Sequence, residues 1–234
     1  MNGTLKKVLT WFVFPVIIVL LVIAIVSSIL KPVNFNKETE ARKAVAIQQM
    51  KDIRDLQVAY KGEYGKFAPT VDSLQYYYKN GDMSVLMQIG SHDDSVAVAH
   101  TDAVKKSFKN LKDEALNQAL YQAYLAGDNN LVFTVRNKIA VKDTLFNNKA
   151  FDPEKLRYIP FSEGDTVIMQ TIVKQVSGVD VPLFQAQMPF NSLLKGLDHQ
   201  QIVNLNFERT DTDRYPGLMV GSIENANNNA GNWE

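Results

Sequence analysis

The pattern of apolar and polar positions changes its period along the chain. From Val8 to Leu30 there is no alternation at all: VLTWFVFPVIIVLLVIAIVSSIL carries no charge over 23 residues and lies between Lys6-Lys7 and Lys31. At about 1.5 Å rise per residue such a helix is roughly 35 Å long, enough to cross a hydrocarbon core of about 30 Å with some tilt. A secretory h-region is shorter, about 7–15 residues, and ends on small residues. Here bulky Ile29-Leu30 and then Lys31-Pro32 follow Ser27-Ser28. The run is therefore expected to be an uncleaved, single-pass anchor. Pro15 in its second turn and Trp11 near the headgroup level fit a membrane helix.

Past the anchor, Lys31-Pro32-Val33-Asn34 predicts an interruption or kink, with Asn36 or Thr39 capping a new helix. From Lys37 to Lys61 the spacing is helical. Ala46, Met50, Ile53, Gln57, Tyr60 and Tyr64 follow alternating steps of four and three and share one face, while Lys43, Gln49, Lys51, Asp52, Arg54 and Asp55 fall mostly elsewhere. Two readings of this stripe stand: it packs on the chain's own globular part, or it forms a coiled-coil seam to another subunit. Its six residues are the candidate interaction seam. Gly62 to Pro69 is a turn-rich exit. In the tyrosine run Tyr76-Tyr77-Tyr78, alternate rings are expected to cover the core and an element's edge rather than to stack on a ligand. A second helix is predicted from Thr101 or Asp102 to Leu125, with Val104, Phe108, Leu111, Ala115 and Ala119 on one face and Gly127-Asp128-Asn129-Asn130 as its stop.

Beyond that point the period becomes strand-like. Leu131–Val135 and Ile139–Phe146 flank Arg136-Asn137-Lys138 as a hairpin, and Thr166–Val176 joins Val181–Gln187 through Ser177-Gly178-Val179-Asp180. Gln201–Glu208 and Leu218–Ile223, the latter after the Tyr215-Pro216-Gly217 turn, complete the strand candidates. The expected class is α+β: an N-terminal transmembrane helix continuing into an amphipathic helix, a second helix, then a mainly antiparallel β-sheet. The organisation reads as a cytoplasmic tail (1–7), the transmembrane helix (8–30), a helical stalk region (31–130), a β-rich domain (131–224) and a mobile or docking tail (225–234) in which only Trp233 has much to bury. Lys6 and Lys7 flank one end of the span and Lys31, Lys37, Arg42 and Lys43 the other, so the Lys/Arg bias chooses no side. A short tail before a large domain is the usual signal-anchor layout, which places the C-terminal part outside the cytoplasm.

Taken in order, residues 8–74 resemble type IV pilins and type II secretion pseudopilins. The likeness rests on a near-N-terminal apolar helix, Pro32 well inside it when Phe12 is taken as the start, an amphipathic continuation, and the exit Tyr60, Glu63-Tyr64-Gly65-Lys66-Phe67-Ala68-Pro69, Val71-Asp72-Ser73-Leu74. The resemblance implies an antiparallel sheet packed after the helix and a role in assembly. The family also has a leader ending in Gly before a Phe and an early Glu that pairs with a neighbouring subunit's amine. No such Gly precedes Phe12, and Val8–Leu30 holds no acid. A permanent anchor is expected, not a polymerising pilin.

Charge and candidate chemistry narrow the function further. Residues 1–37 carry four Lys and no acid, leaving 21 basic and 25 acidic side chains in the rest, a net charge near −4 that disfavours nucleic acid. With no cysteine, disulfides, thiolate metal sites and cysteine nucleophiles are excluded. His92, His100 and His199 show no i, i+4 pairing and no H-E-x-x-H. His92-Asp93-Asp94, with His100 and Asp102 nearby, reads as a solvated acidic loop before a helix. Thr210-Asp211-Thr212-Asp213 lacks the Gly and distal Glu of a calcium loop. Phosphate-loop and G-x-S-x-G motifs do not occur. No catalytic, cofactor-binding or metal residue is assigned, no cofactor is expected, and an enzyme is not expected. The expected partners are the lipid bilayer and other envelope proteins or further copies of the chain. The reading is a non-enzymatic, membrane-anchored structural or assembly component; the alternatives are a bitopic coiled-coil scaffold and an extracytoplasmic ligand-binding module.

Overall fold

A π-helical turn, Leu9–Val13, leads into helix α1, Phe14–Tyr64, which runs for 51 residues through Pro32. The structure, a computed structural model, describes residues 9–108, 110–146 and 151–234. The expected tail, 1–7 with Lys6-Lys7, and Val8 lie outside the described residues. The interruption expected at Lys31–Asn34 does not occur. An interior proline costs a helix about 3 kcal/mol through a lost donor and a crowded preceding turn. Here the following turns pack: Phe35 and Thr39 are buried and begin the stripe that Ala46, Met50, Ile53, Leu56 and Gln57 continue. Thr39 is thus an interior position of one helix rather than the cap of a second. Upstream of Phe35 the picture inverts, and the most apolar stretch of α1 has none of its residues buried. This one helix is long and apolar enough to cross a membrane.

The chain is α+β and divides into two compact units, one holding the chain to Arg54 together with Glu154–Glu234, the other Asp55–Pro153. In the second, α1 ends at Tyr64 and is followed by α2 (Val71–Asn80), β1 (Asp82–Ile89), α3 (Ser95–Ser107), α4 (Asp113–Leu125), β2 (Phe133–Ala140) and the single turn α5 (Val141–Thr144). β1 and β2 pair antiparallel from Asp82↔Ala140 to Ile89↔Phe133. Leu120, Leu131, Phe133 and Val135 form a buried cluster under Met87, Ile89, Val104 and Leu116.

Three expectations change in this unit. The stalk region of 31–130 contains a strand, because Asp82–Ile89 alternates exposed and half-buried residues with period two. The helix predicted from Thr101 or Asp102 to Leu125 is two helices: Asp94 caps the first early, its carboxylate accepting from the N–H groups of Val96 and Ala97, and the chain leaves helical geometry at Phe108. The hairpin around Arg136-Asn137-Lys138 is instead the middle of β2, whose partner residues lie 50 to 54 positions upstream, at Leu86↔Arg136 to Ser84↔Lys138.

In the other unit, β3 (Ile168–Val176), β4 (Val179–Pro189) and β5 (Gly217–Gly221) make an antiparallel sheet in the order β3-β4-β5. The β3–β4 hairpin forms as expected but on a shorter turn, since Val179 and Asp180, expected in the connection, belong to β4. Ser177 and Gly178 both adopt positive φ, 52° and 82°, as a two-residue mirror-image turn requires. Between β4 and β5 lie α6 (Phe190–Leu193) and α7 (His199–Asp211). The strand expected at Gln201–Glu208 is therefore helical: Asp198 accepts from the N–H of Gln201, and Ile202, Leu205, Asn206 and Arg209 turn inward at helical spacing. Thr210–Asp213, read as a turn with two carboxylates, is the end of that helix. The last residues dock rather than trail. Val220 bridges Gly231, Asn232 exchanges hydrogen bonds with Met219 and Gly217, and Arg54 holds Glu234 at 2.6 Å.

Candidate functional site

Polar side chains of α1 before Arg54 fasten to the backbone of the unit that they share with Glu154–Glu234. Arg42 donates to the carbonyls of Leu193 (3.3 Å) and Lys195 (2.9 Å) and lies over the Phe161 ring, while the Gln49 amide reaches the carbonyls of Lys155, Leu156 and Tyr158. These contacts occupy the helix face that the stripe marks. Ala46, Met50, Ile53 and Gln57 are fully buried within the chain itself, so at these four positions the expected seam is filled by the protein's own fold. The reason is the stripe's company: buried Phe35, Thr39 and Leu56 widen it into a core-facing face. Only Tyr60 and Tyr64 of the six reach the surface, and they enter a different structure.

That structure is a tyrosine-walled cavity within the Asp55–Pro153 unit. Tyr60 and Tyr64, one turn apart at the end of α1, lie 4.5 Å between ring centroids. The chain leaves the helix through Gly65, whose φ of 72° suits glycine, and re-enters at Thr70, which accepts from the N–H of Ser73 and caps α2. Val71, Leu74 and Tyr77 then recur at helical spacing and turn inward. Tyr77 stands edge-on to Tyr60 at 5.2 Å and to Tyr64 at 5.8 Å. Gly81 ends α2 with its N–H on the Tyr77 carbonyl, 2.7 Å, and a Cβ there would sit 2.3 Å from a Tyr77 ring carbon. Together with Asp72, Ser73, Tyr76 and Asn80 these residues line a cavity of about 680 Å³.

The cavity wall is mostly uncharged. Among the described residues that line it, Asp72 is the charged one. Behind Tyr77, Glu63 accepts from the N–H and hydroxyl of Ser84 and faces Lys138 at 3.4 Å; the Ser84 hydrogen bonds, then Lys138, hold its carboxyl below the usual range. Burial, followed by the field of Glu63, pushes the Tyr77 phenol up to about 12. Its hydroxyl is buried with no hydrogen-bond partner among the described residues. Tyr76 is 71% exposed at the rim, and Tyr78 turns away to pack on Phe151 and Phe146. Of the tyrosine run, then, one ring is core, one is surface and one joins a separate aromatic group. A ligand in this cavity meets aromatic walls and one carboxylate, an arrangement suited to an organic cation.

The histidine-acid loop resolves differently. His100 faces Asp128 at 2.8 Å across the α3–α4 region, not Asp102, and this hydrogen bond holds the Asp128 carboxyl below its usual range. Asp93 and Asp94 serve the loop's own turn and the α3 cap. Among the described residues no group of three or more His, Asp or Glu is placed to hold a metal ion. Gly81, Asn80, Asp72 and Ser73 were not singled out as site residues; the signal available in the sequence was the inward i, i+3 spacing of Val71, Leu74 and Tyr77, which sets these four on the opposite or terminal part of α2. No family model, no curated protein and no solved structure matches the chain.

Proposed function

We propose that this protein is a permanently membrane-anchored, non-enzymatic structural or assembly component of a pilin-like or secretion-type envelope complex, with its C-terminal part outside the cytoplasm. One observation carries the proposal. A single helix, α1, has none of its residues buried before Phe35, where it is mostly apolar, and carries a buried stripe from Phe35 onward, so the segment that suits lipid is joined without a break to the segment that packs in the fold. Exposed apolar side chains of this number have no counterpart in water-facing surfaces and call for a lipid or protein environment. The absence of an acid in Val8–Leu30 supports a fixed anchor over a subunit that inserts its helix into a filament.

The test is alkaline carbonate extraction of membranes from cells making the full chain, followed by protease treatment of intact cells and the mass of the mature protein. Retention in the pellet, digestion of the C-terminal part from outside and an intact Met1 are expected. Release by carbonate overturns the anchor, and cleavage beside Phe12 overturns its permanence.

A second reading, a ligand-binding module, is favoured by the Tyr60–Tyr64–Tyr77 cavity. Organic ammonium compounds titrated against the full chain in detergent are expected to quench tyrosine emission in proportion to occupancy under that reading, and a Tyr64→Ala variant to lose the response.

A further inference from the structure

The hairpin of β3 and β4 has two open edges of different character. Among the described residues β5 pairs only with Gln185–Pro189 of β4, so the turn-proximal half of the hairpin has no third strand there, and no strand pairs with the other side of β3. A two-residue turn closes on a hydrogen-bonded pair, here Val176 and Val179, and pairs then alternate along the ladder. Asp180 and Pro182 therefore point their backbone groups away from β3, and a charge and a missing N–H guard that edge. Thr171, Val173 and Gln175 point theirs away from β4, on an edge with no proline and one charged side chain, Lys174. The surface there is apolar: Ile168 is 45%, Val173 61% and Val176 48% exposed. An edge of this length and composition invites another strand.

The sequence of β3 says which strand. Ile-Met-Gln-Thr-Ile-Val-Lys-Gln-Val is near-palindromic about Ile172: Ile168 mirrors Val176, Gln170 mirrors Lys174, and Thr171 mirrors Val173. Laid antiparallel on a second copy with Ile172 opposite itself, β-branched residues meet β-branched residues and the only charge meets an amide, with no like charges opposed. Thr171 and Val173 then form the hydrogen-bonded pairs that their outward backbone groups require. Such a patch is self-complementary and closes after two copies. We propose that β3 pairs with β3 of a second copy of this chain, joining two three-stranded sheets across a two-fold axis at Ile172. The pairing names a partner for the assembly reading, on which it rests for its setting, and it makes the unit of assembly a closed pair.

The chain has no cysteine, so one introduced thiol is the only one present. In the full chain in its own membranes, Ile172→Cys sets two thiols in a non-hydrogen-bonded pair with Cα atoms about 4.5 Å apart, inside disulfide range. Val176→Cys is the control, since its copy lies eight residues along the ladder, roughly 26 Å away. After mild oxidation, Ile172→Cys is expected to shift from monomer to dimer on a non-reducing gel and Val176→Cys to stay monomeric. Chains carrying Ile168→Cys and Val176→Cys, made together, are expected to cross-link to each other. A monomeric Ile172→Cys chain that carbonate leaves in the membrane overturns the pairing alone, as does cross-linking of Val176→Cys equal to that of Ile172→Cys. Release of a cross-linked chain by carbonate overturns the anchor alone.

Discussion

Gln57 grips Ala68 with both ends of its amide: the Nε2 group donates to the Ala68 carbonyl at 3.0 Å and the Oε1 accepts from the Ala68 N–H at 2.8 Å. Both residues are fully buried. The pair turns the chain back against the last turns of α1 after Gly65, and it explains why an amide sits in an otherwise apolar stripe. Water cannot replace either bond at that depth. Gln57→Leu removes both and leaves a buried donor and acceptor without partners, each worth about 1–3 kcal/mol, so a loss of about 2–6 kcal/mol is expected in thermal or denaturant unfolding of the full chain in detergent. A variant as stable as the parent sinks this account of the exit.

Gly81 is tied to Tyr77 by contact rather than by backbone freedom, because its φ of −90° is open to any residue. A Cβ would meet the Tyr77 ring at 2.3 Å and the Tyr77 carbonyl at 2.6 Å, and the second neighbour is backbone that cannot swing aside. Gly81→Ala is expected to cost about 1–3 kcal/mol and to alter near-ultraviolet circular dichroism as the ring is displaced from Tyr60 and Tyr64. Unchanged ellipticity at full stability counts against the edge-on packing described for the cavity.

How much of this was legible in the sequence depended on whether a pattern was local. The apolar run, the Ala46–Gln57 face and the Ser177-Gly178 turn each declare themselves within a few residues. Pro32 misled because its local cost is fixed while the packing of Phe35 and Thr39 that offsets it is tertiary. Asp82–Ile89 was hidden by its setting among helices although Met83, Val85, Met87 and Ile89 alternate correctly, since the strand that pairs with it lies some fifty residues on at Phe133–Ala140. In Gln201–Glu208, Val203, Leu205 and Phe207 alternate with polar neighbours as a strand would, yet Val203 and Phe207 are exposed and the deciding signal is the Asp198 cap. Within the cavity, Tyr60 and Tyr64 were visible as the end of a stripe; that Tyr77, not Tyr76 or Tyr78, would face them follows only from the phase of α2 after Thr70.

Arg42 provides a separate test of how α1 is held to its own unit. Its guanidinium donates to two carbonyls, those of Leu193 and Lys195, and also meets Glu38 one turn away at 3.1 Å. The carbonyl bonds are charge-assisted and partly sheltered, whereas Glu38 is half-exposed. Arg42→Ala is expected to lower stability by about 1.5–3 kcal/mol. Glu38→Ala should cost no more than about 1 kcal/mol, as surface ion pairs do. Arg42→Lys should recover little, because one ammonium cannot reproduce the planar fork. Equal losses for Arg42→Ala and Glu38→Ala would assign the stabilisation to the ion pair instead.

The Tyr77 phenol makes the cavity sensitive to high pH. Burial, then the charges of Glu63 and its neighbours, raise its pKa from 10 in the unfolded chain to about 12 in the fold. The neutral phenol is therefore favoured by the folded state. This contribution is fully present below pH 10 and is lost as pH rises from about 10 towards 12, since the unfolded chain releases its proton first. Stability should accordingly decline over that window more steeply in the parent than in Tyr77→Phe, which has no proton to lose there. The same substitution removes a buried hydroxyl that has no partner among the described residues, so at neutral pH Tyr77→Phe is expected to be at least as stable as the parent. Ultraviolet titration of phenolate formation checks the first part and unfolding at neutral pH the second. A Tyr77→Phe chain with an unchanged alkaline profile would place the late-titrating phenol elsewhere, and one that is destabilised at neutral pH would mean that the Tyr77 hydroxyl has a partner after all.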